Sequence, residues 1–493
     1  MARKVAVLAV GLLLVACARP PESFDLVLKG GRVIDPETGL DAVRDVGIRG
    51  DKVIRISSRP LKGTRIINAR GLVVSPGFID LNQHEHDAAS YRLEALDGVT
   101  TALELEAGVP DVGRFLELRR GKTPINFGAS ASHEAARVLA FGVPLGDSPF
   151  GPAAAIPNPS IGPATNDPAS PERLQRILDI LRVQVEAGGL GIGIELEYTQ
   201  GATRHEIIEV FRLAGEYKQL IIIHVRNAGR LEPGSAIEAI NEVIGAAAVT
   251  GAAVHINHIN SNCLGDSPEC LRMIEGARIR GIDVTTEAYP YGVAMTFITG
   301  AYFAPGWRER RNIDYGDLEL PGTGERLTRE RFETLHAWPT PRLVLIHVNP
   351  DAVVDGVITN PLVIIASDGI KGHPRLAGTC ARILARYVRL QGTLSLLEAV
   401  RKLSLMPAQR LETARQATRR KGRLHEGADA DIVVFDPERI EDRATYSSAA
   451  EPSVGVRYVI VAGTIVVNDG LFVEGVNPGQ ALRGDAGQKK PRL

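Results

Sequence analysis

The segment PGFIDLNQHEHD, residues 76–87, concentrates groups that could hold a metal ion. On an extended strand residues two apart share a face, so Asn82, His84 and His86 point the same way. Two histidines spaced in this manner can chelate one ion through their ring nitrogens. Four further apolar runs end in a polar or ionisable residue. These are GVTTALELE with Glu106, LIIIHV with His224, AAVHINHI with His258, and LVIIASD with Asp368. Glu104 and Glu106 share one face of their strand. Two acids directed into one interior need a compensating charge, which a bound cation would supply. A carboxylate such as Asp368, set beside a metal-activated water, can take its proton and hand it on to a leaving amine.

Something must gather these strand ends. Residues 74–410 alternate short apolar runs with amphipathic helical stretches, of which 171–187, 205–217 and 394–403 are examples. Repeated strand–helix units predict a parallel sheet covered by helices. Polar residues recurring at the C-terminal strand ends predict a (β/α)8 TIM-like barrel, whose active site lies on that face. The stretch 296–341 breaks the rhythm, is rich in Arg, Gly and Glu, and is expected to form a lid-like insertion. Strand patterns with Gly turns occupy residues 24–73 and return in 411–475. One small discontinuous β-sandwich built from both ends of the chain is therefore expected. Residues 18–23 read as a linker, and the polar segment 476–493 as a disordered tail.

The chain has 493 residues, enough for a large core, and balances 57 Lys and Arg against 58 Asp and Glu. That balance leaves no basic field for nucleic acid, so the expected partner is a small-molecule substrate. Residues 1–17 combine a short basic start, an apolar stretch too brief to span a bilayer, and the tetrapeptide Leu14-Val15-Ala16-Cys17. This resembles a bacterial lipoprotein signal peptide with Cys17 as the lipidated residue. The implied location is the bacterial cell envelope, the periplasmic face or the outer membrane, with a lipid anchor as the sole membrane contact. In an oxidising envelope Cys263 and Cys270 could pair, but the remaining Cys380 leaves an odd count and no disulfide framework. Oligomeric state is not legible.

The ordered set PGFID, GVTT, GLGIGIELEY, HVRNAG, YPY, SDG with HPR, and EGADADIVVFDP resembles the amidohydrolase superfamily, and within it the N-acyl-D-amino-acid deacylases. The resemblance covers nearly all of the chain after residue 17 and implies metal-dependent hydrolysis of an N-acyl-D-amino acid. It implies one tightly bound zinc ion on His224, His258 and a third ligand that is a cysteine in D-aminoacylases. Here that stretch offers Glu106, with Glu104 as the fallback. The family pattern PGFIDxHxH meets Asn82 in place of the first histidine. Either Asn82 and His84 form a weakened second site, or the pair has slid to His84 and His86, about 6–7 Å along the strand. A second metal ion is therefore left open.

By the same resemblance Asp368 is the general base and acid, and Arg375 and Tyr289 hold the substrate's α-carboxylate. Tyr198 is expected to line the same pocket, and Lys371 with Arg226 to favour an acidic side chain. Asn260, where relatives carry a lysine, argues against that last preference. Rival readings are another amidohydrolase acting on a cyclic amide or a dipeptide, and a lipid-anchored binding protein whose catalysis has lapsed. Cyclic amidohydrolases use a lysine near the fourth strand, and GLGIGIELEYTQ contains none.

Overall fold

A computed structural model describes residues 23–145, 162–338 and 342–485. The expected signal segment and Cys17 lie outside the described residues. Among the described residues no helix is long and apolar enough to cross a membrane.

Eight parallel strands form the centre. In chain order they are Phe78–Asp80, Val99–Val109, Asn126–Ser132, Gly191–Glu195, Leu220–His224, Ala253–Ile256, Val284–Ala288 and Val363–Ile365. Each pairs with its sequence neighbours in that list. First and eighth strands are joined beyond their ends: the His84 amide donates to the Gly369 carbonyl at 3.0 Å, and the Gly369 amide to the Asn82 carbonyl at 3.2 Å. The Ser367 amide also donates to Asp80 at 3.0 Å. The sheet is thereby closed into the expected barrel. Helices follow the strands and are capped by the chain's own side chains. Ser170 accepts from the Arg173 amide ahead of Pro171–Glu186, and Thr203 from the Glu206 amide ahead of Arg204–Tyr217. The third helical stretch begins at Leu396 and continues through wider π turns to Leu411.

Both chain ends contribute to the expected small β-domain, whose nine strands are joined in one hydrogen-bonded sheet around a core of its own. Its seam is Val73–Pro76, parallel to Phe24–Asp35 and antiparallel to Ile432–Phe435. Alternation explains how the sheet serves two cores: Val74, Ile432 and Val434 pack within it, whereas Val73, Val433 and Phe435 pack toward the barrel.

The tail departs from expectation over residues 476–485. Leu482 is buried in the barrel floor beside Leu103, Leu190 and Leu220. Its amide donates to the Phe127 carbonyl at 2.7 Å, and those of Gly479 and Gly484 to Thr123 and Gly188. Val476 and Ala481 of the same run also pack against the core, so a few apolar side chains in a polar run are enough when the barrel floor offers a socket.

The expected lid is a small sheet with its own core. Val293–Phe297 and Leu318–Glu319 both pair with Leu343–His347, and Phe303, Trp307 and Phe332 pack beneath them. The excursion thus begins and ends on paired strands just outside the span 296–341. Cys263 and Cys270 form a disulfide; Cys380 is free and buried.

Candidate metal centre and active-site cavity

A cavity opens at the C-terminal ends of the barrel strands, roofed by Met295, Phe297 and Ile346 of the small sheet. Its floor is organised by Glu106. Glu106 Oε1 lies 2.8 Å from His224 Nδ1 and 2.9 Å from His258 Nε2, and all three residues are buried. Their ligand atoms fall within 4.8 Å of one another, the spacing of donors around a common ion. Burial pushes the Glu106 carboxyl up, but His258 and His224 outweigh it and hold it well below the usual carboxylate range. A carboxylate with two imidazoles is a zinc-type donor set, so these residues fit a divalent ion.

A second trio shares Glu106. His84 Nε2 lies 3.2 Å from Asp368 Oδ1 and 3.8 Å from Glu106 Oε2, again within 4.8 Å as a group. Burial alone would lower the His84 pKa, yet Glu104, Asp368 and Glu106 raise it well above the ordinary imidazole value. Glu104 lines the cavity but belongs to neither trio; its Oε2 sits 3.1 Å from His84 Nδ1 and orients that ring. Asn82 occupies the place of the missing histidine, donating Nδ2 to Glu106 Oε2 and, at 3.0 Å, to Glu287 Oε1.

The slide to His86 does not occur. The first strand ends at Asp80, so the two-residue alternation stops before His86 is reached. His86 turns away from the cavity, 2.9 Å from the Tyr91 hydroxyl and 2.6 Å from the Gln83 carbonyl, with its ring edge on Phe115. Burial and Arg119 push its pKa down to about 3, as suits a neutral core histidine.

Asp368 adopts a left-handed backbone, φ 51°, a costly conformation for a residue with a side chain. The kink leaves Oδ1 toward His84 and Oδ2 2.9 Å from Arg375 Nη2. Arg375 opens the helix Arg375–Arg382 and lies over the Tyr289 ring at 4.6 Å. Its Nε and Nη1 are buried without hydrogen-bond partners, donors suited to an incoming anion. Tyr198 holds Thr296 of the small sheet through a 2.7 Å hydroxyl contact and places its ring edge on His224. Lys371 is not part of the cavity; it is exposed and bound to Glu85 and Asp87. Arg226 is likewise taken up by Glu242 at 2.7 Å. The predicted cationic selection of acidic side chains by these two residues therefore fails.

Two groups escaped the sequence reading, Glu197 with Arg311 and Glu134 with Glu195. Glu197 Oε2 lies 3.0 Å from His224 Nε2, and its other oxygen meets the buried Arg311, carried by the lid helix Trp307–Arg311. His255 is a buried core histidine, 3.0 Å from Glu287 Oε2, the carboxylate that Asn82 also reaches. Glu134 and Glu195 stand as a carboxyl pair on the cavity wall. The acids of GIELEY alternate, which was the available signal for Glu195 and Glu197; nothing local pointed to Arg311.

The profile of the amidohydrolase family matches residues 65–467. The chain belongs to that family. This amidohydrolase is 29% identical to the N-acyl-D-glutamate deacylase of Alcaligenes xylosoxydans xylosoxydans, across 94% of the chain and 98% of the relative. It is 28% identical to the D-aminoacylase of the same organism, over 94% and 98% of the two chains. The solved N-acyl-D-glutamate deacylase of Bordetella bronchiseptica, complexed with zinc and a phosphonate mimic of the tetrahedral intermediate, superposes with a TM-score of 0.77. That match has 25% identity and covers 94% of this amidohydrolase and all of that chain. The protein is thus a hydrolase of carbon–nitrogen bonds other than peptide bonds.

Proposed function

We propose that this amidohydrolase removes the acyl group from N-acyl-D-amino acids with one tightly held zinc ion on Glu106, His224 and His258. The observation that carries the reading is Glu106 Oε1 facing both imidazoles at the floor of a cavity whose rim holds Asp368, Arg375 and Tyr289. Bound there, the ion would polarise the scissile carbonyl and acidify water. Asp368 accepts the proton of the attacking water and delivers it to the leaving amine nitrogen. Arg375, through its unpartnered donors, and Tyr289 hold the α-carboxylate, which fixes the Cα substituents and so reads handedness. Glu197 and Glu104 orient His224 and His84.

The test is amine release from matched N-acetyl-D- and N-acetyl-L-amino acids by zinc-loaded protein. Turnover confined to D-substrates supports the reading; turnover of L-substrates alone, or of none by folded and metallated protein, overturns it. We further propose that the protein is lipid-anchored through Cys17 in the cell envelope, on the strength of the Leu14–Cys17 tetrapeptide. Mass spectrometry of the mature N-terminus checks this: an unmodified Cys17 excludes it.

A further inference from the structure

Seven carboxylates line the cavity, and five have a basic partner. Glu85 has Lys371 at 3.2 Å, Glu104 has His84, Glu106 has two histidines, Glu197 has Arg311, and Asp368 has Arg375. Glu134 and Glu195 are the exception. Glu195 ends the fourth strand and Glu134 lies in the first turn of the helix His133–Ala140, after the third strand. Their carboxyls are hydrogen-bonded to each other, which requires at least one proton between them. Glu134 is 2% exposed and its Oε1 has no hydrogen-bond partner. Among the described residues no cation pairs with either acid; Arg137, the nearest candidate in sequence, is taken up by Glu206. Residues 146–161, which follow in the chain, contain no Lys, Arg or His.

A buried carboxyl pair with an unfilled acceptor and no basic partner is costly unless something binds it. The pair sits on the wall of the substrate cavity, close enough to Glu106, His84 and His224 to feel their charges. The facing roof is apolar, with Met295, Phe297 and Ile346, and suits methylene groups rather than a second charge.

We propose that Glu195 and Glu134 form the seat for a positively charged amine of the substrate, so that this amidohydrolase prefers ammonium-bearing substrates. The inference rests on the deacylase reading of the same cavity. The amine has two chemical sources: the side chain of a D-lysine-like residue, or the free α-amine of an aminoacyl group in a dipeptide ending in a D-residue.

The experiment compares each source with a neutral partner of similar shape: N-acetyl-D-lysine against N-acetyl-D-norleucine, and glycyl-D-alanine against propionyl-D-alanine. In at least one pair the charged substrate is expected to have a kcat/KM at least about tenfold higher, and the pair that shows the margin identifies the source. Glu195→Gln should collapse that margin toward one without loss of bound zinc, and Glu134→Gln should do the same; circular dichroism confirms folding. Equal kcat/KM within both pairs, or a margin that survives both variants, overturns the proposal. So does loss of metal in Glu195→Gln, which would make the pair a metal ligand. If no D-substrate turns over, the deacylase reading fails separately. Calorimetric affinities of the same four compounds then decide the seat by the same margin and the same variants.

Discussion

Asn82 donates a hydrogen bond to Oε2 of Glu106, the carboxylate whose other oxygen faces His224 and His258. The same amide nitrogen reaches Glu287, which is held by His255 and Asn257. A carboxamide here locks the shared carboxylate from behind where a histidine would offer a ring nitrogen. Asn82→Ala should weaken zinc binding by roughly tenfold, the usual scale for losing a group that orients a ligand. Chelator competition measures it, and unchanged affinity would reduce Asn82 to packing.

Asp368 touches both His84 and Arg375 and lies outside the Glu106–His224–His258 trio. Asp368→Asn should therefore lower kcat by roughly 10²–10⁴ while the zinc content stays that of the wild type. Retained turnover with the best D-substrate would remove Asp368 from the proton transfer.

Arg311 links the lid to the metal centre through Glu197 and His224. Removing it strands a buried carboxylate, at a cost of about 3–5 kcal/mol. Arg311→Ala should lower the denaturation midpoint and the zinc affinity together. A loss of stability with unchanged zinc affinity would confine Arg311 to holding the lid.

The barrel floor gives a purely structural prediction. Leu482→Ala empties a socket among Leu103, Leu190 and Leu220 and should cost about 2–5 kcal/mol by urea unfolding. A change within experimental error would mean that the tail does not plug the barrel.

Burial pushes the Asp97 carboxyl up to about 7 despite hydrogen bonds from Ser453 and the Cys380 and Ala381 amides. Its folded pKa exceeds the unfolded value near 4, so between those limits the folded state binds the extra proton. The resulting stabilisation is complete below pH about 4 and is lost as pH rises through about 7. Asp97→Asn should flatten that slope in unfolding measurements from pH 4 to 7. The slope is the readout, since the variant also disturbs the hydrogen bonds.

Local periodicity carried a good part of this protein. Apolar runs of strand length, each ending in a polar residue, imply a parallel barrel, and they place Glu106, His224, His258 and Asp368 at one end because strand direction is common to all. The two strand-rich termini likewise signal a shared sheet. What periodicity could not carry is anything past the end of an element. His86 left the expected face because its strand stops at Asp80, and Leu482 found a socket that no pattern in its own segment reveals. The choice of Glu106 over Glu104 at the shared vertex depends on where neighbouring strands set their registers. Arg311 meets Glu197 across 114 residues because the lid folds back over the fourth strand. Such contacts join elements whose relative placement depends on the packing of the whole barrel, so only the tertiary structure decides them.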